Sequence, residues 1–160
     1  MSLEPATHSS LDARGLRIAV ITALFNGSIT GGLRTGAVEY LEEAGAEQVH
    51  CIEAPGAFEL PLLAATAIDA GFDGVVALGA VIEGETDHYE HVAHRVSEGL
   101  LRVSLDTGVP VGFGVLTTAT VEHALTRSRP GPQNKGRECA AAVIGTLQAQ
   151  ATIRKAATPR

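Results

Sequence analysis

Apolar positions along this chain follow two alternating rhythms, short continuous runs and stripes that repeat every three or four residues. The first run, Leu16-Arg17-Ile18-Ala19-Val20-Ile21, is nearly unbroken, as in a strand buried on both faces. It ends at Phe25-Asn26-Gly27. Leu33, Ala37, Tyr40, Leu41 and Ala44 then recur at helical spacing up to Gly45, a residue suited to ending a helix. Val49-His50-Cys51-Ile52 is a second strand-like run, connected by Ala54-Pro55-Gly56-Ala57-Phe58-Glu59 to a helix over residues 60–70. Pro61 is tolerable there only because it sits in the first turn, and Leu63, Ala64, Ala67 and Ile68 form the apolar face. Gly71 and Gly74 bracket the return. The third run, Val75-Val76-Ala77-Leu78, empties into residues 79–89, and a helix with Val92, Val96, Leu100 and Val103 on one face follows up to Gly108 and Pro110. The fourth run is Val111-Gly112-Phe113-Gly114-Val115-Leu116. Thr120 is placed to cap a short helix through Val121, Ala124 and Leu125. Arg129-Pro130-Gly131-Pro132 separates it from a last helix over residues 134–155, with Cys139, Val143, Leu147 and Ala151 on one side.

Four strand-then-helix units in a row predict an α/β fold, a parallel sheet with helices on both faces. Residues 1–14 show no period and read as an N-terminal arm, and 15–160 as a single domain. Ligands in such sheets bind beyond the carboxyl ends of the strands. The chain has six aromatic residues and no tryptophan. Phe25 follows the first strand, Phe58 the second and Tyr89 the third, and Phe113 falls in the late half of the fourth. Four of the six thus collect at one rim, which favours a planar aromatic ligand, with core packing the alternative for Phe113.

Composition narrows the partners. A chain of 160 residues with 45% apolar and 19% charged positions describes a globular protein able to bury a core. Its net charge of −6 and lack of any Lys/Arg cluster argue against nucleic acid or an anionic membrane as partner. Cys51 and Cys139 stand far apart in apolar patterns and read as buried reduced thiols. These features fit the cytoplasm.

The stretch Gly79-Ala80-Val81-Ile82-Glu83-Gly84-Glu85-Thr86-Asp87-His88-Tyr89 concentrates the chemistry. Dinucleotide, P-loop and nucleophile-elbow signatures are absent. His88, His91 and His94 fan across about 120° of a helix, which disfavours convergence on one metal ion. His91 and His94 read as solvated or interface residues. His88 begins the helix one turn before Val92, near its buried edge, and reads either as a proton shuttle or as a structural first-turn histidine. Gly84-Glu85-Thr86 offers backbone N–H groups and a hydroxyl to an oxyanion. Alternatively, the turn caps itself, with Asp87 as N-cap and Glu90 three residues on. Glu83, Glu85 and Asp87 crowd the turn with negative charge, so an anion there needs a cation from elsewhere. Arg127, Arg129, Lys135 and Arg137 are the candidates, from this protomer or a neighbour.

Phe25-Asn26, Pro55-Gly56-Ala57-Phe58-Glu59-Leu60-Pro61, the stretch from Leu78 to Tyr89, Gly114-Val115-Leu116-Thr117-Thr118 and Asn134-Lys135-Gly136-x-Glu138-Cys139-Ala140 together resemble lumazine synthase. The resemblance implies a flavodoxin-like three-layer αβα sandwich around a four-stranded parallel sheet. It also implies condensation of 5-amino-6-ribitylaminouracil with 3,4-dihydroxy-2-butanone 4-phosphate to 6,7-dimethyl-8-ribityllumazine, the penultimate step of riboflavin biosynthesis. Carried over by position, Phe25 stacks on the pyrimidine, and Asn26, Ala57, Phe58 and Glu59 line the ring and ribityl pocket. Val81 and Ile82 meet the ring edge, Gly84, Glu85 and Thr86 hold the phosphate, and His88 moves protons. Phe113, Arg127 and Lys135 come from an adjacent subunit. The family uses no metal or organic cofactor, works as a pentamer or as a sixty-subunit shell of pentamers, and has riboflavin synthase as a candidate partner. The short loop between Arg127 and Lys135 looks like that of the shell formers.

Two departures stand out. Many members carry arginine where this chain has Glu83, which predicts a weaker hold on the phosphate. Ser128-Arg129-Pro130 replaces the Ala-Gly common in that loop. The rival readings are a non-catalytic lumazine- or flavin-binding or shell-forming homologue, and the archaeal type of riboflavin synthase. The phosphate turn before His88 favours the synthase.

Overall fold

The computed structural model describes residues 11–157. Its strands are β1 (Arg17–Ala23), β2 (Gln48–Ala54), β3 (Gly74–Ile82) and β4 (Val111–Thr118). Its helices are α1 (Gly27–Glu43), α2 (Leu60–Asp69), α3 (His88–Thr107), α4 (Val121–Ser128) and α5 (Lys135–Ala157), with one 3-10 turn at Ala57–Glu59. All strand pairs are parallel, in the order β2-β1-β3-β4. This is the flavodoxin-like order, whose switch point lies between β1 and β3 because the chain leaves β1 first to one side and then to the other.

The alternation of side chains along a strand splits the core in two. Ile18, Val20, Val76 and Leu78 pack with Leu33, Leu41, Ala140 and Ile144 of α1 and α5. Ala19, Ile21, Val75 and Ala77 pack with Leu60, Ala64, Val96 and Leu100 of α2 and α3. The two central strands are buried on both faces, as their unbroken apolar runs predict. Gly45, Gly71 and Gly108 close α1, α2 and α3 with positive φ, a conformation open to glycine without steric penalty.

Three expectations need correction. β3 continues through Gly79 to Ile82, so the first four residues of the chemical stretch are strand and not turn. Gly79 to Ile82 find partners in Val115 to Thr118, and this longer ladder carries the strand past its apolar run. Cys51 is exposed on the edge strand β2, where only Val49, Ile52 and Ala54 reach the cores, while Cys139 is buried. Phe113 is the third of eight residues in β4, in its early half.

The expected arm falls partly outside the described residues, which begin at Leu11. Ala13 is buried, its N–H donates to the Ala44 carbonyl at 2.8 Å, and Leu11 packs on the α1/α5 core.

Candidate active site

Three chain segments converge at the switch point. Beyond β1, Asn26 turns into α1 in the left-handed conformation (φ 58°, ψ 48°), which asparagine tolerates better than most residues. Its side-chain amide donates to the Ala80 carbonyl at 2.9 Å, tying the β1 exit to β3. Beyond β2, Gly56 leaves room for the Glu59 carboxylate and borders the Phe25 ring. A Cβ there would lie 3.0 Å from a Glu59 carboxylate oxygen and 3.5 Å from the Phe25 ring. Beyond β3, the chain runs through the exposed Glu83 to Asp87 into α3.

Between them lies a cavity of about 630 Å³, a size that suits a heterocycle with a sugar-like chain. Phe25, Asn26, Ala57, Phe58, Glu59, Val81, Ile82 and His88 line it. Phe25 is 71% exposed and Phe58 61%, so two aromatic faces stand open where most aromatics would be packed away. Among the described residues nothing hydrogen-bonds the Glu59 carboxylate, which leaves it ready to accept from a ligand hydroxyl.

His88 is exposed in the protomer, not tucked against the buried edge of α3, because the helix begins at that residue and overhangs the cavity. The cavity wall also includes Gly56, Ala80, His91, Val92 and Arg95, which sequence reasoning missed. His88, Val92 and Arg95 are spaced by four and three, so helical periodicity from His88 was the signal available for them.

The turn before α3 is not self-capped. Asp87 occupies the N-cap position with helical dihedrals, and its side chain accepts no hydrogen bond. Its carbonyl accepts from Glu90 N–H at 3.1 Å and His91 N–H at 3.3 Å. The helix N-terminus therefore stays without a carboxylate cap and keeps its affinity for an external anion. Gly84, Glu85 and Thr86 lie in this exposed connection beside the cavity, not in its wall.

Phe113, Arg127 and Lys135 line a second concavity of about 520 Å³ along the open edge of β4, with His123, Glu138 and Cys139. The four aromatics therefore do not share one rim. Phe25 and Phe58 wall the cavity, Phe113 stands 48% exposed in the second concavity, and Tyr89 lines neither. Core packing of Phe113 is excluded by that exposure. Arg127 donates to the His123 carbonyl at 2.9 Å and has no carboxylate partner among the described residues. Lys135 pairs with Glu138 at 2.6 Å. Arg137 is committed to Glu43 and stacks over Tyr40, which removes it from the candidate cations. Burial alone pushes the Cys139 thiol up to about 12. No cluster of three or more His, Cys, Asp or Glu arranged for a metal ion occurs among the described residues.

A doubly wound α/β sandwich with an aromatic-walled cavity at its switch point belongs to the class of α/β proteins that bind small ligands beyond the carboxyl ends of their strands. The sequence profile of 6,7-dimethyl-8-ribityllumazine synthase matches residues 15–151. The chain is 46% identical over 140 residues to the protein of that name from Nitratidesulfovibrio vulgaris, covering 86% of this chain and 90% of that one. It is 47% identical over 142 residues to 6,7-dimethyl-8-ribityllumazine synthase 1 of Caulobacter vibrioides, covering 87% and 93%. With the enzyme of Streptomyces avermitilis it shares 43% identity over 146 residues, covering 90% and 89%. The chain belongs to the 6,7-dimethyl-8-ribityllumazine synthase family, and its activity is the transferase reaction of riboflavin biosynthesis that makes the lumazine.

Proposed function

We propose that the cavity and the β4 concavity are two halves of one site, joined when the β4 edge of one protomer closes over the cavity of its neighbour. The cavity takes 5-amino-6-ribitylaminouracil. Phe25 stacks on its ring, Val81 and Ile82 meet the ring edge, and Asn26, Ala57 and Phe58 line the ring and ribityl pocket. Glu59 accepts from ribityl hydroxyls. Gly84, Glu85 and Thr86 hold the phosphate of 3,4-dihydroxy-2-butanone 4-phosphate through backbone N–H groups and the threonine hydroxyl. From the neighbour, Phe113 closes the ring pocket, Arg127 pairs with the phosphate and Lys135 approaches the pyrimidine.

The observation that carries this reading is the complementary deficit of the two surfaces. The cavity has aromatic walls and His88 but adjoins a turn crowded by Glu83, Glu85 and Asp87. Among the described residues, the arginine of the concavity has no carboxylate partner and its exposed phenylalanine has no ring stacked on it.

The chemistry asks for little more than this. The 5-amino group of the pyrimidine attacks the ketone, and water leaves as the imine forms. Loss of a proton beside the imine then expels inorganic phosphate. Closure of the second ring, with further loss of water, gives the lumazine. His88, on the cavity wall at the start of α3, is the residue placed to take and return protons. Holding two reactive partners in contact supplies much of the acceleration.

Mixing both substrates with the protein and following lumazine absorbance tests the reading. The expected result is formation faster than the spontaneous reaction. His88→Ala retains part of the rate, with kcat falling about tenfold, because proximity carries the rest. Absence of any acceleration by the native protein overturns the reading.

The same reading makes the protein a homo-oligomer, a pentamer or a sixty-subunit shell of pentamers with the shell favoured by the short loop before α5, in the cytoplasm. Riboflavin synthase, which consumes the product, is a natural partner. Leu62, Leu101 and Leu105 support assembly, since three large apolar side chains on α2 and α3 are more than half exposed in the protomer.

A further inference from the structure

Asn134 is 2% exposed and uses both ends of its amide. Its Oδ1 accepts from the N–H groups of Gly136 at 2.9 Å and Arg137 at 3.1 Å, which caps α5 immediately before Lys135 takes its place in the first turn. Its Nδ2 donates to the carbonyls of Ser128 at 2.9 Å, Arg129 at 3.0 Å and Gly32 at 3.0 Å. Ser128 and Arg129 directly follow Arg127 at the end of α4, and Gly32 belongs to α1. One side chain thus joins the end of the helix that carries Arg127, the start of the helix that carries Lys135, and the core helix beneath both.

Three glycines are shaped around this junction. A Cβ at Gly36 would collide with the Asn134 amide, one at Gly32 with the Ser128 carbonyl, and one at Gly136 with the Leu33 carbonyl. The connection from 129 to 134 has no helix or strand of its own, so without this tether the α4 terminus is held mainly by its own short apolar face.

We propose that Asn134 is a positioning residue for the phosphate end of the site, fixing Arg127 at the distance from Lys135 that the two substrates require. The proposal rests on the roles given above to Arg127 and Lys135.

Asn134→Ser separates the two ends of the amide. A serine hydroxyl still caps α5 and keeps Lys135 in place, but it is too short to hold the Ser128, Arg129 and Gly32 carbonyls. The expected result is a rise of about tenfold in KM for the butanone phosphate, while KM for the pyrimidine and kcat change less than about twofold. Arg127→Ala raises the same KM, and adding Asn134→Ser to it changes nothing further, since the tether acts through Arg127. An unchanged KM in Asn134→Ser, or an equal rise in the Arg127→Ala background, overturns the positioning role and leaves the role of Arg127 intact. An unchanged KM in Arg127→Ala overturns instead the reading of Arg127, and the proposal with it. Should Asn134→Ser not assemble, Gly32→Ala leaves Asn134 in place and sets a methyl against the Ser128 carbonyl. The same phosphate-selective rise is expected there, and no rise counts against the proposal.

Discussion

Glu83 stands where the negative charge of the turn before α3 is already high, one residue before Gly84. Its N–H donates to the Thr118 carbonyl at 3.0 Å, which fixes the backbone and leaves the carboxylate exposed beside the uncapped start of α3. Glu83→Arg is expected to lower KM for the butanone phosphate about three- to tenfold at low salt, an advantage that shrinks as ionic strength rises. Steady-state kinetics at two salt concentrations check it. An unchanged KM removes the electrostatic argument. The two cysteines separate just as cleanly. Burial raises the Cys139 thiol from 9.0 to about 12, so between these pH values the folded chain keeps a proton that the unfolded chain has lost. The stabilisation is whole below pH 9 and drains away as pH climbs toward 12. Cys139→Ala therefore flattens the alkaline limb of the stability profile, at a cost of about 1 kcal/mol near neutrality from lost packing. Urea titrations across that range measure both effects. In the native protein at pH 8 a thiol reagent is expected to label Cys51 alone.

Helix packing is where glycine decides the structure. Gly136 lies where α5 crosses α1 so closely that any Cβ would strike the Leu33 carbonyl, which is backbone and cannot swing aside. Gly136→Ala is expected to destabilise the fold by about 3 kcal/mol, the upper part of the range for overpacking, and to lower the denaturation midpoint accordingly. A Gly136→Ala protein as stable as the native one would mean that the two helices have room to part. Element identity was legible along the chain because the periods are strong. All four strands and all five helices stand where the apolar runs and stripes predict them, and Gly45, Gly71 and Gly108 end the first three helices. The ends were less legible. β3 gains four residues from its ladder with β4, and a ladder is made by residues more than thirty positions away in the chain.

At the scale of the whole molecule, the proposed division of the site between two protomers makes its own prediction. If each site draws His88 from one chain and Arg127 from the next, His88→Ala and Arg127→Ala proteins complement each other. Unfolded together in equal amounts and reassembled, they are expected to give activity above either alone, with about one quarter of sites holding both native halves. Activity no higher than the average of the two parents would place both residues in the same protomer. Leu105 tests assembly independently. It is 74% exposed on α3, and Leu105→Asp is expected to shift the protein to smaller species in sedimentation velocity.

Local pattern alone determined the class of this protein. Hydrophobic period, turn glycines and the ordered motifs from Phe25 to Ala140 act over a few residues each, so they survive reading along a line. The sequence also singled out many of the residues that line the two concavities, because carboxylates, histidine and aromatics in apolar surroundings are conspicuous without coordinates. Only the tertiary structure decided how those residues are grouped. Strand order puts β1 beside β3 and sends β4 to the edge, and that separates Phe113, Arg127 and Lys135 from the cavity of Phe25 and His88. Exposure was likewise a tertiary matter, since the same apolar alternation buries Val20 on a central strand and leaves Cys51 open on an outer one. The hub at Asn134 was least legible of all. Its partners lie at the end of α4, at the start of α5 and within α1, up to 102 positions away, and a hydrogen-bonding side chain reveals its acceptors only once the chain has brought them within about 3 Å.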